Sequence, residues 1–231
     1  MKAMILAAGR GERMRPLTDR VPKALLPVGG RPLIAHLIGR LALAGFTELV
    51  LNVSHLAGLI ERELGDGSNL GVHIVYSREE QALETGGGIA YALPLLGAEP
   101  FVVVNSDIYC DFDFARLASA EMSLASGVLS AHLVLVDNPP HHPAGDFRLR
   151  EGKVTAHGDE PRLTFSGIGV YAPALFTEVA RGTRRQLAAL LTPEMARGRV
   201  TGEHHRGRWM DVGTPQRLAD LDRLLAPARR A

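Results

Sequence analysis

The chain of 231 residues carries 26 Lys and Arg against 25 Asp and Glu, a net charge of +1, and 46% of it is hydrophobic. That length suits one α/β domain with a large core, and the balanced charge with only 5% aromatics argues against a nucleic-acid binder or a protein drawn to an acidic membrane. No run approaches the roughly 18 apolar residues of a membrane span, the short N-terminal apolar run is no secretory signal, and the single cysteine, Cys110, excludes an internal disulfide and suits a reducing, cytoplasmic setting.

Ala3 to Ala7 is a short apolar run, expected to form a buried strand. It empties into a loop with two glycines (Gly9, Gly11), three arginines (Arg10, Arg13, Arg15) and Lys23 framed by Pro22 and Pro27. Small residues let backbone N–H groups close on a polyphosphate and fixed cations neutralise it, so the loop suits a ligand rich in negative oxygens. Neither common phosphate loop fits. A dinucleotide fingerprint needs a third glycine opening a helix, but Met14 stands there with Pro16 and Pro22 behind it. A P-loop needs G-x-x-x-x-G-K-[ST], a spacing that Lys23 lacks.

Strands and helices then alternate. A helix is predicted from Pro32 to about Ala44, a strand over 48–53, a helix over 55–64, a strand over 72–76, a helix over 87–96 and a buried strand over 100–104. This alternation implies parallel strands with helices on both faces. The second half predicts a long strand over 127–136, a hairpin over 146–156 about Glu151-Gly152, a strand over 163–171, a helix opened by Pro173, a polar hairpin near 200–210, and a last helix over 215–225 capped by Thr214. Residues 226–231 read as a solvated tail.

Three further motifs carry chemistry. LETGGGI, Leu83 to Ile89, places glycines at a predicted loop-to-helix junction, where free N–H groups can face a ligand. VVVNSDIY, Val102 to Tyr109, ends a strand in Asn105-Ser106-Asp107, and a carboxylate at a strand's carboxyl end can hold Mg²⁺ or simply cap a turn. RWMDVGTPQRL, Arg208 to Leu218, sets Asp211 just before the capped helix. The pairs His141-His142 and His204-His205 argue against zinc, because neighbouring side chains on an extended chain point opposite ways and no cysteine completes a site.

LAAGRGERMRPLTDRVPKALLPV, Leu6 to Val28, resembles at every position the signature of the sugar-1-phosphate nucleotidylyltransferases, L-A-A-G-x-G-x-R-[ML]-x-P-[LF]-T followed by P-K-x-[LM]-x-P-[VI]. The resemblance implies an α/β, Rossmann-like nucleotide-diphospho-sugar transferase fold, its mixed, mostly parallel sheet flanked by helices. It implies a single domain over 1–231, with a nucleotide-binding half (1–110) and a sugar-phosphate half (111–231). It makes Arg13 and Lys23 catalytic and puts Ala7, Ala8, Gly9 and Gly11 around the nucleotide's phosphates. Thr85, Gly86 and Gly87 fall at the base and ribose, with Glu79 and Gln81 where relatives read the base edge. Asp107 and Asp211 become the ligands of Mg²⁺. Asn105, Gly145, Asp146, Ser166 and Gly167 match in kind the elements that contact the sugar phosphate.

The chain departs from the pattern in three places. Glu84 replaces the usual first glycine of its motif, Ser106 replaces a glycine before Asp107, and the E-K-P lysine is absent, with Asp159-Glu160-Pro161 and then Arg162 near its place. Short length, LETGGGI, HHPAGDF and TFSGIG are together most similar to the bacterial N-acetylmuramate-1-phosphate uridylyltransferases of peptidoglycan recycling. The expected substrates are therefore UTP and a sugar 1-phosphate. The rival within the family is a mannose-1-phosphate guanylyltransferase. Regulatory relatives that bind nucleotide sugar without turnover would have lost Lys23 or a metal carboxylate, and both are present. No apolar stripe marks an oligomer interface, so the sequence leaves oligomeric state open.

Overall fold

The computed structural model describes residues 1–226, so the tail predicted past Ala226 lies outside the described residues. The first half contains β1 (Ala3–Leu6), β2 (Pro27–Val28), β3 (Arg31–Pro32), α1 (Leu33–Leu43), β4 (Glu48–Val53), α2 (Ala57–Leu64), β5 (His73–Arg78), α3 (Glu84–Leu96), β6 (Phe101–Asn105) and β7 (Ile108–Cys110). The second contains α4 (Glu121–Ala125), β8 (Ala131–Val136), β9 (Phe147–Arg150), β10 (Lys153–Thr155), β11 (Arg162–Tyr171), α5 (Leu187–Ala196), β12 (Val200–His205), β13 (Trp209–Asp211) and α6 (Pro215–Leu225). One nine-stranded mixed sheet, ordered β5-β4-β1-β6-β11-β8-β12-β10-β9, takes strands from both halves.

The first four strands are all parallel, and β11 then pairs antiparallel with β6. The order of those four reverses between β1 and β6, and ligands of open α/β sheets bind at the carboxyl ends of strands at such a switch point. Strand alternation sorts the core. Ala3, Ile5, Val102 and Val104 face one layer with Ile34, Ile38 and Leu41 of α1, while Met4, Phe101 and Val103 face the other with α3 and α5. Leu187, Leu191 and Met195 recur every fourth residue along α5, which is how a helix lays one stripe on a sheet.

Several boundaries differ from the sequence reading. The strand predicted from 127 begins only at Ala131, because 3-10 turns (Phe114–Ala120) and α4 precede it. Pro173 opens a 3-10 turn to Phe176, not a helix, and α5, hidden in sequence by Pro193, supplies the layer instead. The predicted 200–210 hairpin does not form. β12 pairs in parallel with β8, and β13 pairs with β7 in a separate two-stranded sheet. Cys110 lies buried on β7.

Glu194, nearly buried on α5, ties the layers together. Ser130 Oγ donates to its carboxylate, and Arg197 and Arg199 flank it. Burial pushes its carboxyl up, but the Ser130 hydroxyl and the two arginines outweigh that and hold it below the usual carboxylate range. A lowered folded value means stability is present above the unfolded pKa of about 4.3 and is lost as pH falls through the folded value. Glu194→Gln is expected to cost about 1–3 kcal/mol at pH 7 and to shrink the loss of stability between about pH 4.5 and 3. Urea unfolding at both ends of that range checks this.

Candidate active site

The loop after β1 is three 3-10 turns (Glu12–Met14, Leu17–Asp19, Lys23–Leu25) folded over the switch point. Gly11 has φ +64, and a Cβ there would sit 2.9 Å from Thr18 Cγ2 and 3.2 Å from Lys23 Cβ, so only glycine lets the turns close. Thr18 Oγ1 donates to the Gly11 carbonyl at 2.8 Å. Behind the loop, the Ala7 amide donates to Asn52 Oδ1 (2.8 Å), Asn52 Nδ2 to Glu79 Oε1 (2.7 Å) and the Leu83 amide to Glu79 Oε2 (2.9 Å). This buried chain joins the phosphate-loop backbone to the start of α3. Burial pushes the Glu79 carboxyl up, and the two donors only partly offset that.

A cavity of about 480 Å³ opens at this point. Of the sequence-predicted residues, Ala7, Ala8, Gly9, Gly11, Arg13, Lys23, Glu79, Thr85, Asn105 and Asp107 line it. A second cavity, about 330 Å³, has Ser166 and Asp211 in its wall and shares Arg13, Asn105 and Asp107 with the first. Those three therefore stand on the seam between two compartments. A third hollow of about 300 Å³ is lined by polar Thr85, Asn105 and Asp146 together with apolar Phe147, Phe165, Leu187 and Leu191.

The two aspartates meet through strand pairing. Asp211 on β13 pairs with Ile108 on β7, and the Val212 amide donates to the Asp107 carbonyl at 2.7 Å. Lys23 Nζ lies 2.5 Å from Asp107 Oδ2, with little of its side chain exposed. Asp211 accepts from Arg217 and lies 2.9 Å from His141 Nε2. A bulge in β11 between Phe165 and Ile168 shapes the opposite wall. There Ser166 Oγ donates to the Val134 carbonyl (2.7 Å), Trp209 Nε1 donates to the Ser166 carbonyl (2.9 Å), and a Cβ on Gly167 (φ +81) would strike the Asn105 amide at 2.6 Å.

Other predicted residues lie elsewhere. Gln81 is exposed and outside the three cavities. Gly86 and Gly87 are buried inside α3, which begins three residues earlier than predicted, and the Gly87 amide donates to the Arg185 carbonyl at 3.0 Å. The Gly87 amide is thus spent on the 183–186 segment, which also packs against Gly86. Gly145 is a tight turn against Asn138 and Arg162 and does not itself line a cavity, although its neighbour Asp146 lines the third. Both oxygens of Asp146 are engaged, by the Phe165 amide at 2.8 Å and His142 at 3.0 Å, so its carboxylate holds the loop. Glu84 has φ +63, where the resembling family carries glycine, and pairs with Arg184 at 3.0 Å on the rim of the first cavity.

Sequence reasoning missed Asn52, His141, Arg184 and Arg217. No spacing signals them, although Arg217 lies three residues past a recognisable cap and His141 belongs to a noted pair. The two histidine pairs do split, His141 to Asp211, His142 to Asp146, His204 to Asp137 and His205 to Asp111. Two carboxylates facing one cavity, with no group of three His, Cys, Asp or Glu suited to a metal among the described residues, form a sparse oxygen set. That set fits Mg²⁺, which takes one or two carboxylates and completes its shell with water and phosphate oxygens.

A model of the nucleotidyl transferase family matches residues 2–226. The chain is 52% identical over 228 residues to the N-acetylmuramate alpha-1-phosphate uridylyltransferase of Neisseria meningitidis serogroup B, covering 97% of this chain and 98% of the relative. It is 31% identical over 227 residues to mannose-1-phosphate guanyltransferase beta-A of Xenopus laevis, covering 94% of this chain and 62% of that protein. In fold it is similar to a putative glucose-1-phosphate thymidylyltransferase of Bacillus anthracis solved with sucrose, with TM-score 0.85 at 23% identity, covering 100% of this chain and 97% of that one. Among the described residues no helix is long and apolar enough to cross a membrane.

Proposed function

Because the chain belongs to the nucleotidyl transferase family, we propose that it joins UTP to N-acetylmuramate 1-phosphate, releasing pyrophosphate and forming UDP-N-acetylmuramate, a cytoplasmic step of peptidoglycan recycling. The observation that carries the reaction type is the seam. Arg13 and Asp107 stand where two cavities adjoin, one built from the phosphate loop and one from the β11 bulge and β13, and Lys23 of the first cavity reaches Asp107. A reaction between two phosphorylated substrates needs such a meeting point. The near-full-length likeness to the Neisseria uridylyltransferase supports the choice of base and sugar.

The chemistry asks little of a general base, since the nucleophile is already an anion. A phosphate oxygen of the sugar 1-phosphate bonds to the α-phosphorus of UTP, the α–β bridging bond breaks, and pyrophosphate leaves with that electron pair. Catalysis is then positioning and charge neutralisation. Lys23, rigid in its 3-10 turn, neutralises charge growing on the α-phosphate, and Arg13 neutralises the leaving pyrophosphate. Asp107 and Asp211 would hold Mg²⁺, which when bound supplies Lewis-acid charge at the reacting phosphates. Asn52 and Glu79 brace the floor on which the base would lie.

Glu79→Gln tests that brace. Both partners of Glu79 are donors, so the amide satisfies one and turns N–H against the other. Expected are a stability loss of about 1–3 kcal/mol in urea unfolding and a raised KM for UTP with kcat little changed. The reading as a whole is tested by pyrophosphate release with Mg²⁺ and UTP, GTP or dTTP against the 1-phosphates of N-acetylmuramate, N-acetylglucosamine, glucose and mannose. Preference for UTP with the muramate sugar supports it. Preference for GTP with mannose 1-phosphate keeps the mechanism and replaces the substrates.

A further inference from the structure

In the family that the sequence resembles, the E-K-P lysine meets the sugar's own phosphate. The E-K-P lysine is absent, and Arg162, which follows its site in sequence, is exposed, packs its Cβ near Gly145, and borders none of the three cavities. Arg217 stands just behind the second cavity instead: it borders none of the three cavities itself, but it bonds to His141 and Asp211, which line the second. It occupies the third helical position of α6, after N-cap Thr214. Local physics favours Glu or Gln at that position, where it closes a capping box, and the helix's positive end repels a guanidinium. A residue that breaks the local rule beside a cavity points to a ligand.

The contacts of Arg217 agree with this. Its Nε and backbone amide share Thr214 Oγ1 at 3.3 Å, and its Nη1 donates to His141 Nε2 at 2.6 Å and to Asp211. Nη2 has no hydrogen-bond partner among the described residues, and it lies 2.6 Å from where a Cβ of Gly213 would sit. Arg13 Nη2 lies 3.1 Å and Asp211 Oδ2 3.3 Å from the same point. Arg13 itself makes no side-chain hydrogen bond or ion pair among the described residues, and it lines both the first and second cavities. Two guanidiniums therefore converge across a residue with no side chain, each with donors to spare. The single Asp211 carboxylate between two guanidiniums leaves net positive charge there, which suits a further anion, and the planar fork of arginine matches phosphate oxygens.

We propose that Arg217, oriented by Thr214 and His141 and facing Arg13 across Gly213, binds the phosphate of the sugar 1-phosphate and does the work of the missing lysine. This rests on the proposed function in needing a sugar 1-phosphate as substrate. The experiment compares Arg217→Gln and Arg217→Lys with the parent chain. KM for each sugar 1-phosphate, KM for UTP, the Mg²⁺ half-saturation and the thermal midpoint are measured in each.

Arg217→Gln is expected to raise KM about 10–100-fold for both N-acetylmuramate and N-acetylglucosamine 1-phosphates, since both carry the phosphate. KM for UTP should stay within about twofold, and lysine, lacking the fork, should recover only part of the loss. A shifted Mg²⁺ half-saturation with unchanged sugar KM would overturn the proposal, because Arg217 would then only steady Asp211. Loss confined to the muramate sugar would also overturn it, assigning the arginine to that sugar's carboxylate arm. Should the parent chain turn over neither sugar, the proposed function fails. Equilibrium binding of N-acetylglucosamine 1-phosphate to the parent chain and to both variants still decides the role of Arg217, a loss of about tenfold or more supporting it and equal affinity ending it.

Discussion

Lys23→Ala is expected to lower kcat about 10²–10³-fold while moving KM for UTP less than about threefold. The reason lies in how the lysine is held. Its turn is framed by Pro22 and Pro27, the Leu25 amide closes on the Pro22 carbonyl at 2.8 Å, and Gly11 packs against its Cβ. Nζ is aimed at Asp107 on the seam, so its charge is fixed where charge grows only as the α-phosphorus changes partners. An interaction stronger in the transition state than in the ground state appears in kcat, not in binding. Steady-state kinetics with a separate titration of UTP binding measures the split. Equal losses in turnover and in nucleotide affinity would show Lys23 to be a ground-state ligand.

Gly87→Ala is expected to destabilise the fold by about 2–4 kcal/mol. A Cβ there would come within 2.3 Å of the Thr183 carbonyl oxygen and 3.1 Å of the Arg185 amide nitrogen, and these are backbone atoms with nowhere to go. Relief requires the 183–186 segment to lift off α3, breaking the bonds from Gly87 to Arg185 and from Arg185 to Leu83, both 3.0 Å. Arg184 would leave the rim of the first cavity in the same movement. The variant should therefore show a lowered denaturant midpoint with an unchanged m-value, and UTP binding weakened only as far as the rim is displaced. A stable variant with abolished UTP binding would return Gly87 to the direct nucleotide contact that its motif suggests.

The elements that matched their sequence forecasts share one property: their signals are local. β4 and α6 fall where alternation, cap and proline placed them, and the phosphate loop was legible because its glycines and cations are consecutive. The misses are cases where a local rule lost to packing. Pro193 inside α5 masks a helix that the sheet's second layer stabilises. LETGGGI looks like an open helix entry, yet Gly86 and Gly87 let the 183–186 backbone lie against them and Gly88 leaves room for Glu79 and Asn52.

By itself the sequence determined that this is an α/β protein with a polyphosphate loop after its first strand, because hydrophobic period, turn chemistry and the crowding of glycine and cation are properties of neighbouring residues. The tertiary structure alone decided what faces that loop. Asp107 and Asp211, about a hundred residues apart in sequence, become neighbours only through the ladder between β7 and β13. His141 reaches Asp211 from a loop outside its motif, and Arg217 turns back on Asp211 from the first turn of α6. Backbone pairing between distant strands carries no mark in the spacing of either, so the site is a product of the closed sheet and not of any one segment.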